Sequence, residues 1–229
     1  MTAKLPLYYS DLKKYSPIPP QYRFLREFER RIINRLPRPD HPLELRQRAI
    51  ASALLSLALA ERKWKKTPLL VTAWLGGLTH DIGKGRIWRK YLELYPPDLP
   101  PEKKAELKRL LWDLHTRKAL EIIRETDEAT QKKVRPTPEE REILERVKQD
   151  ITQHENVDGR HTPTGLVMVI ADAYAAYSRN LPYRPKLQKP EERLNRIKRK
   201  YFHPKYATTI AELERLAPKI QKRFPIVEG

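Results

Sequence analysis

The segment GGLTHDIGK, from Gly76 to Lys84, closes an apolar run on His80 and Asp81. A helix that ends on adjacent imidazole and carboxylate groups needs a reason. Three further polar residues fall on apolar helical faces. Leu107, Leu111 and His115 are spaced four apart, so His115 continues one such face. Ile143, Val147, Ile151 and His154 are spaced four, four and three, which places His154 on another. Asp172 interrupts LVMVIADAYAA, where a carboxylate is buried unless it is paired or metal-bound. A lone histidine on an apolar face is more often a satisfied core residue than a ligand. Coincidence is a poor account of two histidines, a His-Asp dyad and an aspartate together.

Imidazole and carboxylate groups in combination suit Mn, Fe, Zn or Ni, and the carboxylates also accept Mg. One or two divalent ions are therefore the expected cofactor. Adjacent residues on a helix do not share a face. His80 and Asp81 can serve one centre only if the helix end points at it, or if Asp81 bridges two metals. Gly83 would let the chain turn after the dyad. Lys84 offers a cation to a phosphate held on the metals, with an ion pair or helix capping as the equally good alternative.

The elements that must position these residues are helical, and no alternating run of strand residues interrupts them. Residues 1 to 22, rich in Pro and Tyr, are expected to wrap the surface. Phe24, Leu25, Phe28, Ile32 and Leu36 mark an amphipathic helix. Leu43 to about Lys63 forms a central helix, because AIASALLSLALA is apolar nearly all round. Thr67-Pro68 starts the helix that carries the dyad. Further helices run from about Pro101 to Glu125, Pro138 to His154 and Gly165 to Ser178, with basic helices near Glu191 and Ile210. TDEATQKKVRPT is polar and unpatterned and reads as a surface insertion near 125–138. The expected fold is all-α: a basic extension over 1–40, then a helical domain over 41–229.

The 229-residue chain has no cysteine, so disulfides and thiolate metal sites are excluded. No run of about 18 uncharged apolar residues suggests a membrane span, and MTAKLPLYYSDLKKYS lacks a signal-peptide core. A cytoplasmic protein without a membrane partner is expected. Two Met, 21 Pro and 33% charged residues would suit a thermophile. The net charge of +18 is unevenly placed. Residues 179–223 hold 14 Lys/Arg against four Glu, and Arg193, Arg196, Lys198, Arg199 and Lys200 stand within eight positions. A second basic region runs from Arg23 to Arg48. Such fields attract polyanions, nucleic acid above all, although a solvated helix face would look the same.

Three motifs in order resemble the HD superfamily of metal-dependent phosphohydrolases, and within it the HD-GYP phosphodiesterases, from roughly Glu44 to Leu213. LTHDIGK matches LLHDIGK. TQHENVDGRHTPTGL, from Thr152 to Leu166, is similar to HHE-xx-DG-x-GYP-x-GL. IADAYAAYSRNLPYR, from Ile170 to Arg184, is similar to VAD-xx-DALTS-x-RPYR. The resemblance implies a helical HD-domain fold. It makes His80, Asp81 and Asp172 ligands of one metal and His115 and His154 ligands of a second, with Asp81 bridging. It also implies phosphoester hydrolysis by metal-activated water, in which His80, Asp81 and Lys84 are catalytic and Lys84 meets the substrate phosphate.

The departures are as informative. The histidine expected on the preceding helix falls within Leu45 to Arg48, where there is none, and His41 or Glu44 could substitute. An inward Arg48 would oppose metal binding there. The HHE pair has become Gln153-His154-Glu155, and GYP has become His161-Thr162-Pro163. Leu181 replaces the first arginine of RPYR, while Tyr183 and Arg184 remain as substrate contacts. These losses argue against cyclic di-GMP. The basic charge favours a phosphodiester in nucleic acid or a nucleotide, with Arg193, Arg196, Lys198, Arg199 and Lys200 as phosphate contacts. The alternative is a catalytically impaired module of this type that binds nucleic acid or a protein partner. His161 is expected to be an exposed loop residue, and His203 to be structural.

Overall fold

The computed structural model describes residues 9–37, 45–87, 100–155, 159–178 and 189–223, and the described residues contain helices and no strand. The fold is all-α. A short helix α1 (Tyr9–Leu12) precedes α2 (Arg23–Arg35), α3 (Leu45–Lys63) and α4 (Thr67–Thr79). There follow α5 (Pro101–Gln131), α6 (Pro138–Gln153), α7 (Pro163–Tyr177) and α8 (Pro190–Lys200). A 3-10 turn (Pro204–Tyr206) leads into α9 (Ala207–Arg223). No helix among the described residues is long and apolar enough to cross a membrane.

Helix α3 is the axis of the packing and lies along α4 and α7. Its sequence is apolar on every side, so 15 of its 19 residues are buried. A Cβ on Gly77 would come 2.5 Å from the Ala53 Cα, so only glycine lets α4 approach the α3 backbone this closely. Helix α4 also packs on α6 and α7, and α2 packs on α5. Four helices thus converge behind the C-terminal end of α4.

The helix ends explain how distant segments are held. Thr137 and Glu140 form a capping box at the start of α6. The same Glu140 carboxylate accepts from the backbone N–H groups of Phe24 (3.0 Å) and Leu25 (3.3 Å), which open α2. One buried side chain therefore closes two helix N-termini. Arg46 donates to the carbonyls of Pro37 (2.8 Å) and Leu36 (2.9 Å) beyond the other end of α2.

Two expectations are corrected. The surface insertion expected near 125–138 is helix as far as Gln131, because α5 continues there with Thr126, Asp127 and Thr130 buried. The threonine hydroxyls donate to the carbonyls four residues earlier, Ile122 and Thr126. Asp127 is paired with Arg141 at 2.7 Å. Polar side chains satisfied in this way can sit in a core. The segment before α2 is also more than a surface wrap, since Leu12, Ile18 and Tyr22 join the core. Each large apolar side chain so buried contributes about 1.5–3 kcal/mol.

Candidate metal centre

His80 is the C-cap of α4, and Asp81 follows it in the turn of residues 80–83. His115 lies within α5, His154 caps α6, and Asp172 lies within α7. These five side chains, from four helices and the turn that follows α4, come together. Donor atoms of Asp81, His115, His154 and Glu155 all lie within 4.8 Å of one another, as do those of His80, Asp81 and Asp172. Asp81 belongs to both groups. Gly83 lies in that turn and also permits a close approach: an added Cβ would lie 2.0 Å from the His115 carbonyl oxygen.

Each imidazole has a defined tautomer. The Nδ1 of His80 meets the Gly77 carbonyl at 3.0 Å, that of His115 the Leu111 carbonyl at 2.9 Å, and that of His154 the Ile151 carbonyl at 2.5 Å. A carbonyl only accepts, so every Nδ1 carries its proton and every Nε2 faces the cluster. At His80 and His154 the ring also satisfies a carbonyl of the last helical turn, which would otherwise be unpaired.

The Nε2 atoms of His115 and His154 are 3.2 Å apart. Two neutral rings held in this tautomer oppose lone pair to lone pair, so one must gain a proton or both must share a cation. Burial, then the Lys84 ammonium, pushes His115 down to about 3. The Glu155 carboxylate is 3.5 Å from His115 and 3.4 Å from His154, and Asp81 Oδ1 is 3.6 Å from His115. A tetrahedron with metal–ligand bonds of about 2.1 Å has edges of about 3.4 Å. The donor set and its spacing fit a divalent ion.

In the second group His80 Nε2 lies 3.0 Å from Asp172 Oδ1 and 3.6 Å from Asp81 Oδ2. Arg48, from α3, reaches in with Nη2 3.0 Å from Asp81 Oδ2 and 3.5 Å from Asp172 Oδ1. Lys84 Nζ lies 2.5 Å from Asp81 Oδ1. Both Asp81 oxygens, His80 Nε2 and Asp172 Oδ1 are buried, and none is in a hydrogen bond of good geometry. Burial alone would raise the Asp81 carboxyl, but Lys84, His80 and Arg48 outweigh it and hold it well below the usual carboxylate range. For Asp172 burial is likewise overcome, here by His80. His80 itself is raised, because Asp81 and Asp172 prevail over its burial. The core of the site is two carboxylate-rich pockets joined by Asp81.

His80, His154, Glu155 and Asp172 of the cluster line a cavity of about 700 Å³. Arg48, Lys84, Arg196, Arg199, Lys200 and Tyr201 line the same space. Comparison with family models, with curated proteins and with solved structures finds no match. The site is therefore read from its own residues.

The cations expected to meet a polymer do not share one surface. Arg193 is withdrawn from it: only 1% exposed, its guanidinium lies over the Tyr174 ring at 5.6 Å. Ile197 and Tyr201 follow at four-residue spacing, so Arg193 begins the inward face of α8. Lys198 pairs with Glu214 of α9 at 2.5 Å. Arg196, Arg199 and Lys200 face the cavity. Tyr183, Arg184, His41 and Glu44 lie outside the described residues.

His161 lies apart from the cluster, partly buried with its ring edge-on to Tyr206. His203 is exposed and accepts from the Lys205 N–H at the 3-10 turn, a structural role. Glu155 is the group that sequence reasoning quoted without assigning. Its signal was present, since His154-Glu155 ends α6 as His80-Asp81 follows α4.

Proposed function

We propose that the protein is a metal-dependent phosphohydrolase of the HD type that cleaves phosphodiesters in nucleic acid or a nucleotide. The observation that carries this reading is the pair of imidazole Nε2 atoms at 3.2 Å, ringed by Glu155 and Asp81 carboxylates. A divalent ion held there would lower the pKa of a water and neutralise charge on phosphoryl oxygens. The chain's own residues supply the rest. The Nδ1–H bonds fix the ring orientations, and Asp81 ties the two ligand groups together. Lys84 and Arg48 set positive charge beside the place where a phosphate would enter. Arg196, Arg199 and Lys200 line the approach and suit a substrate with further phosphates.

Hydrolysis of bis(p-nitrophenyl) phosphate, single-stranded DNA and RNA is the test, with Mn, Fe, Ni, Mg and Zn supplied in turn. The wild type should turn over at least one substrate, and His115→Ala with His154→Ala should abolish it. Lack of turnover with every metal would remove the hydrolase reading. A second reading, a non-catalytic module that binds nucleic acid or a protein, is favoured by one observation: Arg48 and Lys84 already neutralise Asp81 internally. Under that reading RNA would bind equally well with and without metal. Under either reading, neutralising Arg196, Arg199 and Lys200 should flatten the fall of affinity with salt.

A further inference from the structure

We propose that the centre takes a single divalent ion, in the Asp81–His115–His154–Glu155 group, and that Arg48 fills the neighbouring His80–Asp81–Asp172 group as a built-in cation. The inference rests on reading the cluster as a metal centre and goes on to assign its nuclearity. Asp81 divides its oxygens between the groups. Oδ1 lies 3.6 Å from His115, and Oδ2 lies 3.6 Å from His80. Arg48 Nη2 is within 3.0–3.5 Å of both carboxylates of the second group, so the guanidinium stands where an ion would have to be. A guanidinium does not give up its proton in proteins. Arg48 is 3% exposed and comes from α3, 15 of whose 19 residues are buried, and withdrawing it would break its ion pairs to both carboxylates at once.

Lys84 stands beside the first group in a similar way, but the chemistry differs. Its single ammonium sits on a flexible four-carbon stem and borders the cavity. An arriving ion can displace it outward. The first group also offers two imidazoles and two carboxylates, against one imidazole and two carboxylates in the second. Ligand number, charge and freedom of the resident cation all favour the first group. Arg48 then does the electrostatic work of a second ion. It also borders the cavity, within reach of an anionic oxygen placed there.

The test is the Mn²⁺ content of the full chain after equilibrium dialysis, read by elemental analysis and by electron paramagnetic resonance. The wild type should hold one Mn²⁺ per chain, with the spectrum of an isolated ion. Arg48→His or Arg48→Met should admit a second, and the spectrum should become that of an exchange-coupled pair. His154→Ala should empty the wild-type site, whereas Asp172→Asn should leave its one ion in place. That contrast does not depend on how well the Arg48 variants fold, and far-UV circular dichroism checks each protein. Two ions or none in the wild type would overturn the proposal. So would loss of the ion in Asp172→Asn but not in His154→Ala, or failure of both folded Arg48 variants to gain an ion. A protein that holds one Mn²⁺ yet hydrolyses nothing would sink the hydrolase reading and leave this stoichiometry standing.

Discussion

Asp150→Asn should stabilise the protein at neutral pH and do so less as the pH falls. Asp150 is fully buried on α6 beneath the start of α7, where it accepts from the hydroxyl of the N-cap residue Thr162. Its second oxygen, Oδ2, has no hydrogen-bond partner. Burial raises the carboxyl from 3.8 to about 6, against the opposing effects of Thr162, Thr164 and Arg146. The folded state therefore binds the proton more tightly than the unfolded state. The contribution of Asp150 to stability is fully present below about pH 4 and is lost as pH rises through 6. A shift of about 2 units corresponds to roughly 3 kcal/mol at pH 7, taken as a ceiling. The N-terminus of α7 favours the charged form by about 0.3–1 kcal/mol, which leaves an expected gain of roughly 2 kcal/mol for the neutral amide. Urea unfolding of both proteins from pH 4 to 7.5 measures it. Any fixed difference between amide and neutral acid cancels in the comparison across pH. A stability difference that does not change with pH, or a variant less stable at pH 7 than at pH 4 relative to wild type, would refute the reasoning.

Gly83→Ala should cost about 1–3 kcal/mol or more from overpacking, because its Cβ would fall 2.0 Å from the His115 carbonyl oxygen and 2.5 Å from the Ala119 nitrogen. It should also reduce Mn²⁺ uptake by displacing His115, and retention of wild-type metal content would count against the close-approach argument. Glu140→Ala leaves three backbone N–H groups without their acceptor: Phe24, Leu25 and Thr137. At about 1 kcal/mol each, the loss should be near 3 kcal/mol, or about 6–12 °C in Tm by calorimetry. A drop of a degree or less would show that α2 is held by apolar packing alone.

Much of the site was legible because a stripe of apolar residues can face only the core. Leu111 and Val147 are buried as the spacing requires, and His115 and His154 are carried inward with them. The inward turn of Arg48 could be posed from sequence only as a condition, since periodicity alone does not choose between an arginine and its neighbours on an all-apolar helix. Arg193 was counted as a surface charge because composition treats every cation alike. Its stacking on Tyr174 depends on how α8 packs against the preceding helix α7. Thr126 and Thr130 misled for the opposite reason: their hydroxyls are satisfied within the helix, which periodicity of polarity does not register. Gly83 looked like a turn residue, and only the position of α5 reveals what it makes room for.

His80 and His154 each close the last turn of a helix with the same ring that faces the metal centre. Loading the proposed ion site, of which His154 is a ligand, and fraying the end of α6 are therefore linked equilibria. An ion that pins the Nε2 of His154 also keeps its Nδ1 on the Ile151 carbonyl, so the terminal turn of α6 opens less often. Amide hydrogen exchange is sensitive to openings of this local kind. The backbone amides of the last turn of α6 should exchange more slowly as Mn²⁺ is added, while the amide of His80, bonded to Gly76, and an amide in a distant helix such as α9 should not respond. Occupancy could thus be followed from the protein backbone without a substrate and without observing the metal itself.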